Sequence, residues 1–424
     1  MLTVRGVRVE RTAARAYSQQ HGCRAEEDAT YRGVLRTISK GYTLEQLTAE
    51  FGGSRRAGTG VGPVLEKFQD VTRIAVLRGG GLGDLVFAIP AISALKAAYP
   101  EASITLLGTP VHQALLAATI SPVDEVCILP FAEGVRPGGE NAEELETFFR
   151  EMRGRQFDLA VQLHGGGRYS NPFLLRLGAR HTVGTRTADA ASLERTVPYL
   201  YYQHEPLRAL EVAGLAGAFP VDLEARLAPA PGLARPAVAM DDDGVAPLAV
   251  MHPGATDPRR RWPVGRFAEL ASACAADGFR VVVVGDGSEQ ELAAQIAEQA
   301  ASTHVRSLAG TLDMGGLVAI LAGAAAVVAN DSGPRHLAQA LGVPTVGIFW
   351  AGNVINAAAL GRSLHRIHAS WVTACPSCGI DVTQVGWTAP RCPHDDSLVA
   401  DVAVRDVYED VRSLAATELP AEDA

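Results

Sequence analysis

Lysine is almost missing from this chain. Of 38 basic residues only Lys40, Lys67 and Lys96 are lysine, leaving 35 arginines. With the abundance of Ala and Gly this reads as coding bias, and its consequence is that roles usually filled by lysine pass to arginine. Positive charge is also short overall. The 424 residues carry a net charge of −9 without a long basic run, which excludes binding to nucleic acid by phosphate neutralisation. The longest apolar stretch, Gly315 to Ala329, falls short of the roughly 18–20 residues that span a bilayer. The opening MLTVRGVRVERTAARAY has no apolar core of a secretory signal. Six cysteines in a chain of this length do not make a disulfide scaffold. These absences lead to the expectation of a cytoplasmic protein with no nucleic-acid partner and no integral membrane segment.

At roughly 100–200 residues per domain, the length suggests two or three domains. Residues 1–70 are polar, carry one helical piece (Leu44 to Phe51) and end in the Gly-rich link Gly52 to Gly62; they read as an accessory segment. From Thr72 short apolar strands alternate with helical patterns: RIAVL (Arg73 to Leu77), SITLLG (Ser103 to Gly108), DEVCILP, and FDLAVQLHG (Phe157 to Gly165). The Ala/Pro-rich stretch Ala225 to Pro247, with Asp241 to Asp243, reads as a linker. Alternation then restarts with PLAVMHPG, the β-branched run in Phe279 to Val284, AAVVAND and PTVGIFW. Strands and helices in turn imply parallel sheets covered on both faces. The expected fold class is α/β: two Rossmann-like domains, 71–235 and 247–380, facing a central cleft, then a tail, 381–424. A ligand belongs in that cleft, at the carboxyl ends of the strands.

Three segments carry candidate chemistry. RGGGLGD places a glycine turn between a strand and a helix, where the backbone can approach a ligand and the helix end favours negative charge. It fits neither G-x-G-x-x-G nor a P-loop. Asp84 is then either a helix cap or a general base exposed in the cleft. In HPGATDPRRRWPVGRF, Thr256 and the arginines 259–261 precede a helix starting near Pro263, forming either a phosphate clamp or a solvated patch. Asp331, Ser332, Gly333 and His336 open another helix. They form either a set of caps with a structural histidine or an anion site. Two anion-friendly helix ends in one half favour a pyrophosphate ligand.

Taken together, RGGGLGDLVFAIPAISALKAAYP, FDLAVQLHGGGR, HPGATDPRRRWPVGRFAELA and SLAGTLDMGGLVAILAGAAAVVANDSGPRHLAQALGVPTVGIF closely resemble glycosyltransferase family 9, the ADP-heptose-dependent heptosyltransferases, over roughly residues 72–415. The resemblance implies a GT-B fold and inverting transfer of heptose from an ADP-heptose donor to an acceptor hydroxyl, without a catalytic cofactor. It implies Asp84 as general base and Gly83 beside the transferred sugar. Thr256 is implied as a phosphate-binding hydroxyl, and Arg260, where the family usually has lysine, as the cation for the departing pyrophosphate. Glu289 is implied at the ribose and Leu312 at the adenine, with Asp331, Ser332, Gly333 and His336 around sugar and pyrophosphate. His164 and Arg168 are candidate acceptor contacts, a structural role for His164 being equally open.

Cys375-Pro-Ser-Cys378 with Cys392-Pro-His394 gives three thiols and an imidazole. C-x-x-C is half of a metal knuckle, although the C-x-H return is atypical and free core thiols or a redox pair are the alternatives. The expectation is a structural zinc or iron. The autotransporter heptosyltransferases resemble this chain in having an N-terminal addition and a cysteine-rich metal finger, so the acceptor stays open among a protein side chain, a natural product and the lipopolysaccharide core. Self-association also stays open. Two other readings are a GT-B transferase using another nucleotide sugar and a sugar-nucleotide epimerase. Cys23, Cys127 and Cys274 stand alone.

Overall fold

In the computed structural model, which describes residues 61–234, 246–383 and 391–416, the runs RIAVL and LAVMH become central strands of two sheets. The first sheet contains β1 (Arg73–Leu77), β2 (Ser103–Gly108), β4 (Glu125–Ile128), β5 (Leu159–Gln162), β6 (His181–Arg186) and β7 (Arg195–Pro198), ordered β4-β2-β1-β5-β6-β7. The short β3 (Thr119–Ile120) lies outside it, paired antiparallel with β8 (Ala228–Pro229). The second sheet contains β9 (Leu248–His252), β10 (Arg280–Val283), β11 (Val305–Ser307), β12 (Ala326–Asn330), β13 (Thr345–Trp350) and β14 (His365–Ser370), ordered β11-β10-β9-β12-β13-β14. Every pairing within the two large sheets is parallel. Each sheet reverses direction of build beside its first strand, so each has a crevice at the carboxyl end of β1 or β9.

Side-chain alternation explains why both faces are covered. Ile74 and Val76 of β1 enter one core cluster, while Ala75 and Leu77 enter another. In β9, Leu248 and Val250 face the first cluster and Ala249 and Met251 face a third. Period-two placement of a continuous apolar run leaves no side of these strands for water.

The helix Leu82–Ala98 is buried at Leu85, Val86, Ile89, Pro90, Ile92 and Leu95, around most of its circumference. A helix apolar on nearly all sides must be covered on nearly all sides. Its residues share one cluster with Leu337 and Ala338 of the helix Gly333–Ala340, so apolar packing runs continuously from one half to the other. The stretch expected as linker is tied down at its start, where Leu227 N donates to Ala340 O at 2.8 Å.

Within the two large sheets, the strands that the apolar alternation did not mark are β6, β7, β11 and β14. They are short or rich in polar residues, and β7 and β14 close the edges of their sheets. An edge strand keeps a partner on one side only and can carry HRIHAS without a full apolar run. The N-terminal segment 1–60, residues 235–245 with Asp241 to Asp243, and the chain end lie outside the described residues. Among the described residues no helix is long and apolar enough to cross a membrane.

The last helix, Val404–Ala415, buries Val404, Val407, Val411 and Leu414 against the core that holds Trp262 and Phe267. Trp262 is 1% exposed and its Nε1 donates to Val402 O at 3.1 Å. Trp262→Ala should therefore cost about 3–5 kcal/mol of stability, read as a lower urea midpoint.

Candidate active site

Strand β1 is followed by Arg78, whose guanidinium fixes the loop. Its Nε donates to Asp84 O at 2.9 Å, its Nη1 to Leu163 O at 2.5 Å, and its Nη2 to Asp84 Oδ1 at 2.6 Å. Asp84 is the third residue of the helix Leu82–Ala98, and its Oδ2 accepts from Gly81 N at 2.8 Å. It therefore reaches back to cap the helix from inside rather than preceding it. Gly80 has φ +92°, and a Cβ there would stand 2.4 Å from Asp84 Oδ2. The turn thus needs glycine for both conformation and space. The Arg78 side chain is 8% exposed and that of Asp84 44%, so the carboxylate is gripped from below and open above. Behind Arg78 the buried Arg208 holds Glu205 at 2.5 Å, and Glu205 lies 3.7 Å from Arg78.

His164 is committed to this loop. Its Nδ1 accepts from Gly79 N at 3.2 Å and its Nε2 donates to Gly134 O at 3.1 Å. Burial, then the Arg78 charge, lowers its pKa. Arg168 is exposed, 3.7 Å from Asp189 and over the Tyr169 ring. Both His164 and Arg168 line an open recess with Gly165, Ser170, Thr187 and Asp189.

In the second half the expected segment is not a set of caps. Ser332 precedes the helix Gly333–Ala340 without capping it through its side chain; its Oγ meets His252 Nδ1 at 3.0 Å. Asp331 turns to His336 Nε2 at 2.9 Å and to Arg260 Nη1 at 2.8 Å. Arg335 Nη2 donates to His336 Nδ1 at 2.8 Å. A guanidinium only donates, so Nδ1 is the acceptor and Nε2 carries the proton given to Asp331. Burial, then the Arg335 charge, pushes His336 down to about 4. For Asp331 burial acts upward, but the His336 hydrogen bond and the Arg260 and Arg335 charges outweigh it and keep it ionised.

The three consecutive arginines part company. Arg259 is buried against Asp257, Arg260 reaches Asp331, and Arg261 Nε donates to Ala255 O at 3.0 Å. Thr256 is exposed at the head of this loop. Glu289 Oε2 accepts from Asp286 N at 2.9 Å and meets His252 Nε2 at 3.2 Å. Burial raises its pKa, yet the bond to His252 leaves it lowered. A Cβ on Gly254 would stand 1.5 Å from Glu289 Oε1, so glycine there makes room for the carboxylate. Leu312 is half-buried, packed against the main core cluster.

The two halves meet at their helix ends. A Cβ on Gly83 would lie 3.1 Å from His336 Cδ2 and 3.7 Å from Gly333 Cα, and the Phe87 and His336 rings are 4.4 Å apart. The fold thereby brings Gly83 and Asp84 to Gly333, His336, Asp331 and Arg260, with Ser332 and Glu289 linked through His252. Such a place offers one open carboxylate, one cation and a helix N-terminus without a side-chain cap: a proton acceptor beside an anion site. Sequence reasoning missed Arg78, Glu205, Arg208, His252 and Arg335. For Arg78 and His252 a signal existed, since each is the polar residue directly after a run of apolar ones, IAVL and LAVM.

The cysteine motif closes on itself. Ligand atoms of Cys375, Cys378, Cys392 and His394 all lie within 4.8 Å of one another, so Cys392 and His394 join the same pair despite their spacing. Gly379 at φ +73° lets its N donate to Cys375 O at 2.8 Å, folding CPSCG into a tight turn. Backbone N–H groups of Cys378, then Ser377, draw the Cys375 thiol down to about 7. Three sulfurs and one imidazole nitrogen at this closeness fit a tetrahedral metal site and could hold an ion.

His365, like His336, is pushed down to about 4 by burial and then by the Arg335 charge. The free imidazole titrates near 6.5, so both rings are neutral in the fold and bind protons on unfolding. Their contribution is complete above pH ~6.5 and lost as pH falls toward ~4. The urea midpoint should drop across that window, and His365→Gln should make the drop shallower. An unchanged slope in that variant contradicts the assignment.

The model of glycosyltransferase family 9 (heptosyltransferase) matches residues 145–377. Lipopolysaccharide heptosyltransferase 2 of Escherichia coli is 27% identical over 296 residues, 65% of this chain and 82% of that one. Lipopolysaccharide heptosyltransferase 1 of Pseudomonas aeruginosa is 26% identical over 316 residues, 72% of this chain and 86% of that one. Among solved structures, E. coli ADP-heptose lps heptosyltransferase II superposes with TM-score 0.63 at 21% identity, covering 81% of this chain and 98% of the other. A family 9 transferase from Veillonella parvula gives 0.64 at 18% identity, covering 81% and 97%. The fold is accordingly GT-B. With more than half its length matched by that family model, the chain belongs to glycosyltransferase family 9 and is a glycosyltransferase.

Proposed function

We propose that this protein transfers heptose from ADP-heptose to an acceptor hydroxyl with inversion at the anomeric carbon. The observation that carries the reading is the meeting of Asp84 with the Arg260–Asp331–His336 group across the Gly83–His336 contact. Two similar structures support the donor by name, one an ADP-heptose transferase and one a heptosyltransferase with ADP.

Asp84 accepts the proton of the acceptor hydroxyl as its oxygen attacks the anomeric carbon from the face opposite the diphosphate. The bond from that carbon to the diphosphate oxygen breaks, and the pair of electrons leaves with ADP. Negative charge then gathers on the diphosphate, where Arg260, Thr256 and the N–H groups opening the helix Gly333–Ala340 receive it. Ser332 and Gly333 edge the diphosphate, and Asp331 with His336 holds the sugar and the Arg260 guanidinium. Glu289 takes the ribose hydroxyls and Leu312 the adenine face. Gly83 lets the sugar lie close to the backbone. The acceptor enters through the recess at His164 and Arg168, as a hydroxyl of a protein side chain, a natural product or a lipopolysaccharide core. Cys375, Cys378, Cys392 and His394 hold a structural zinc or iron.

Release of ADP from ADP-heptose with hydroxyl acceptors tests this. Asp84→Asn should lower kcat by about a hundredfold or more while leaving the donor KM nearly unchanged. Transfer at the wild-type rate in that variant removes Asp84 as base. Arg260→Ala should raise the donor KM about tenfold, and Arg260→Lys should recover most of it.

A further inference from the structure

The loop Thr256–Trp262 contains one short helical turn, Pro258–Arg260, and is held on one side by the end of β12, through Arg260 to Asp331 and Trp262 N to Asn330 Oδ1 at 3.0 Å. On its other side, two of its carbonyls are taken by the segment that follows the cysteine motif. Leu398 N donates to Arg259 O at 2.7 Å, and Ser397 Oγ donates to Arg261 O at 2.6 Å. Trp262 at the end of the loop donates to Val402 O. Side chains repeat the link: Arg391, next to Cys392, lies 3.5 Å from Asp257, which also grips Arg259. Leu398 itself is 1% exposed and shares a small core with Cys375, Val382 and Cys392.

The segment from Arg391 to Ala403 has no helix or strand of its own. A coil is located by its tethers, since each unfixed residue regains about 1–2 kcal/mol of backbone entropy. Its C-terminal part is tethered by Val399 and Val402, buried in the core with Trp262, and by the helix Val404–Ala415; its N-terminal part is tethered by the pair Cys392 and His394. Arg259 adds a charge argument. It is buried, its Nη1 has no hydrogen-bond partner among the described residues, and Cys392 is within electrostatic reach. Asp257 already pairs the Arg259 charge, the Arg259 Nη1 keeps a donor to give, and three thiolates around a divalent ion would add a net negative charge close by.

We propose that the Cys375–Cys378–Cys392–His394 knuckle anchors the donor loop, so that a metal ion there sets the affinity for the nucleoside diphosphate. The ion orders residues 391–402, these hold Thr256–Trp262, and that loop presents Thr256 and Arg260 to the diphosphate. Asp257, Arg259, Arg391 and Leu398 are positioning residues that touch no substrate. The inference rests on the reading of this loop as part of the donor site.

The test uses the full chain, with metal content measured, ADP binding followed by calorimetry and backbone hydrogen exchange followed by peptide. Removing the metal with a chelator should weaken ADP binding about tenfold, within the usual range of a coupling between two sites. Exchange should quicken in 256–262 and 391–402 but not in β9 or β12, and adding Zn²⁺ or Fe²⁺ should restore both. Asp257→Asn should keep the metal yet weaken ADP binding, although removal of a negative charge near the diphosphate would by itself strengthen it. Cys375→Ser should lose metal and affinity together. Equal ADP affinity and equal loop exchange with and without metal overturn the proposal, as does a protein that takes up no metal. If the metal-loaded wild type binds no ADP, the donor-site reading fails instead, and the loop exchange still decides whether the knuckle anchors it.

Discussion

The close approach of Gly83 to His336 is the contact on which the rest of the site depends. A Cβ at Gly83 would already press on the imidazole, and one at Gly333 would stand 2.9 Å from Leu82 Cβ. With hydrogen at both places, the first turns of two helices from different halves come together. The apolar cluster beneath, from Ile89 and Leu85 to Leu337, supplies the energy that keeps them there. One helix carries the open carboxylate of Asp84. The other presents its N-terminus, and with it Arg260 through Asp331.

Charge in the second half is arranged before any ligand arrives. Asp331 is ionised though buried, because it faces His336, Arg260 and Arg335. His336 stays neutral between a guanidinium that donates and a carboxylate that accepts, which fixes its tautomer and ring plane. Arg260 therefore points from a fixed base, with donors beyond the one given to Asp331. Preorganised charge of this kind costs no rearrangement when an anion meets it. The same logic runs in the first half, where Arg78 uses three donors on the loop and on Leu163 to hold Asp84 from behind.

Much of the fold was legible because buried parallel strands are written as unbroken apolar runs, such as RIAVL and AVVAN. Edge strands such as His365–Ser370 escaped because half their surface tolerates polar residues. The scarcity of lysine was legible too, and the cation that pairs with Asp331 is an arginine, Arg260. What local pattern could not separate was capping from ligand contact. Asp331 and Ser332 look like caps in sequence, and only their bonds to His336, Arg260 and His252 show otherwise. The C-x-H spacing of Cys392 and His394 likewise argued against a closed knuckle until the chain was folded.

From sequence alone came the class of fold, the two halves, the family resemblance and the residue types at each helix end. Those follow from period, turn chemistry and local charge, which act over a few residues. The tertiary structure decided which side chains share a partner: Arg78 with Asp84, Arg260 with Asp331, His252 with Glu289, the 391–402 segment with the arginine loop. Such pairings depend on packing between elements as far as 140 residues apart, as for Trp262 and Val402, and no local pattern records distance across a core.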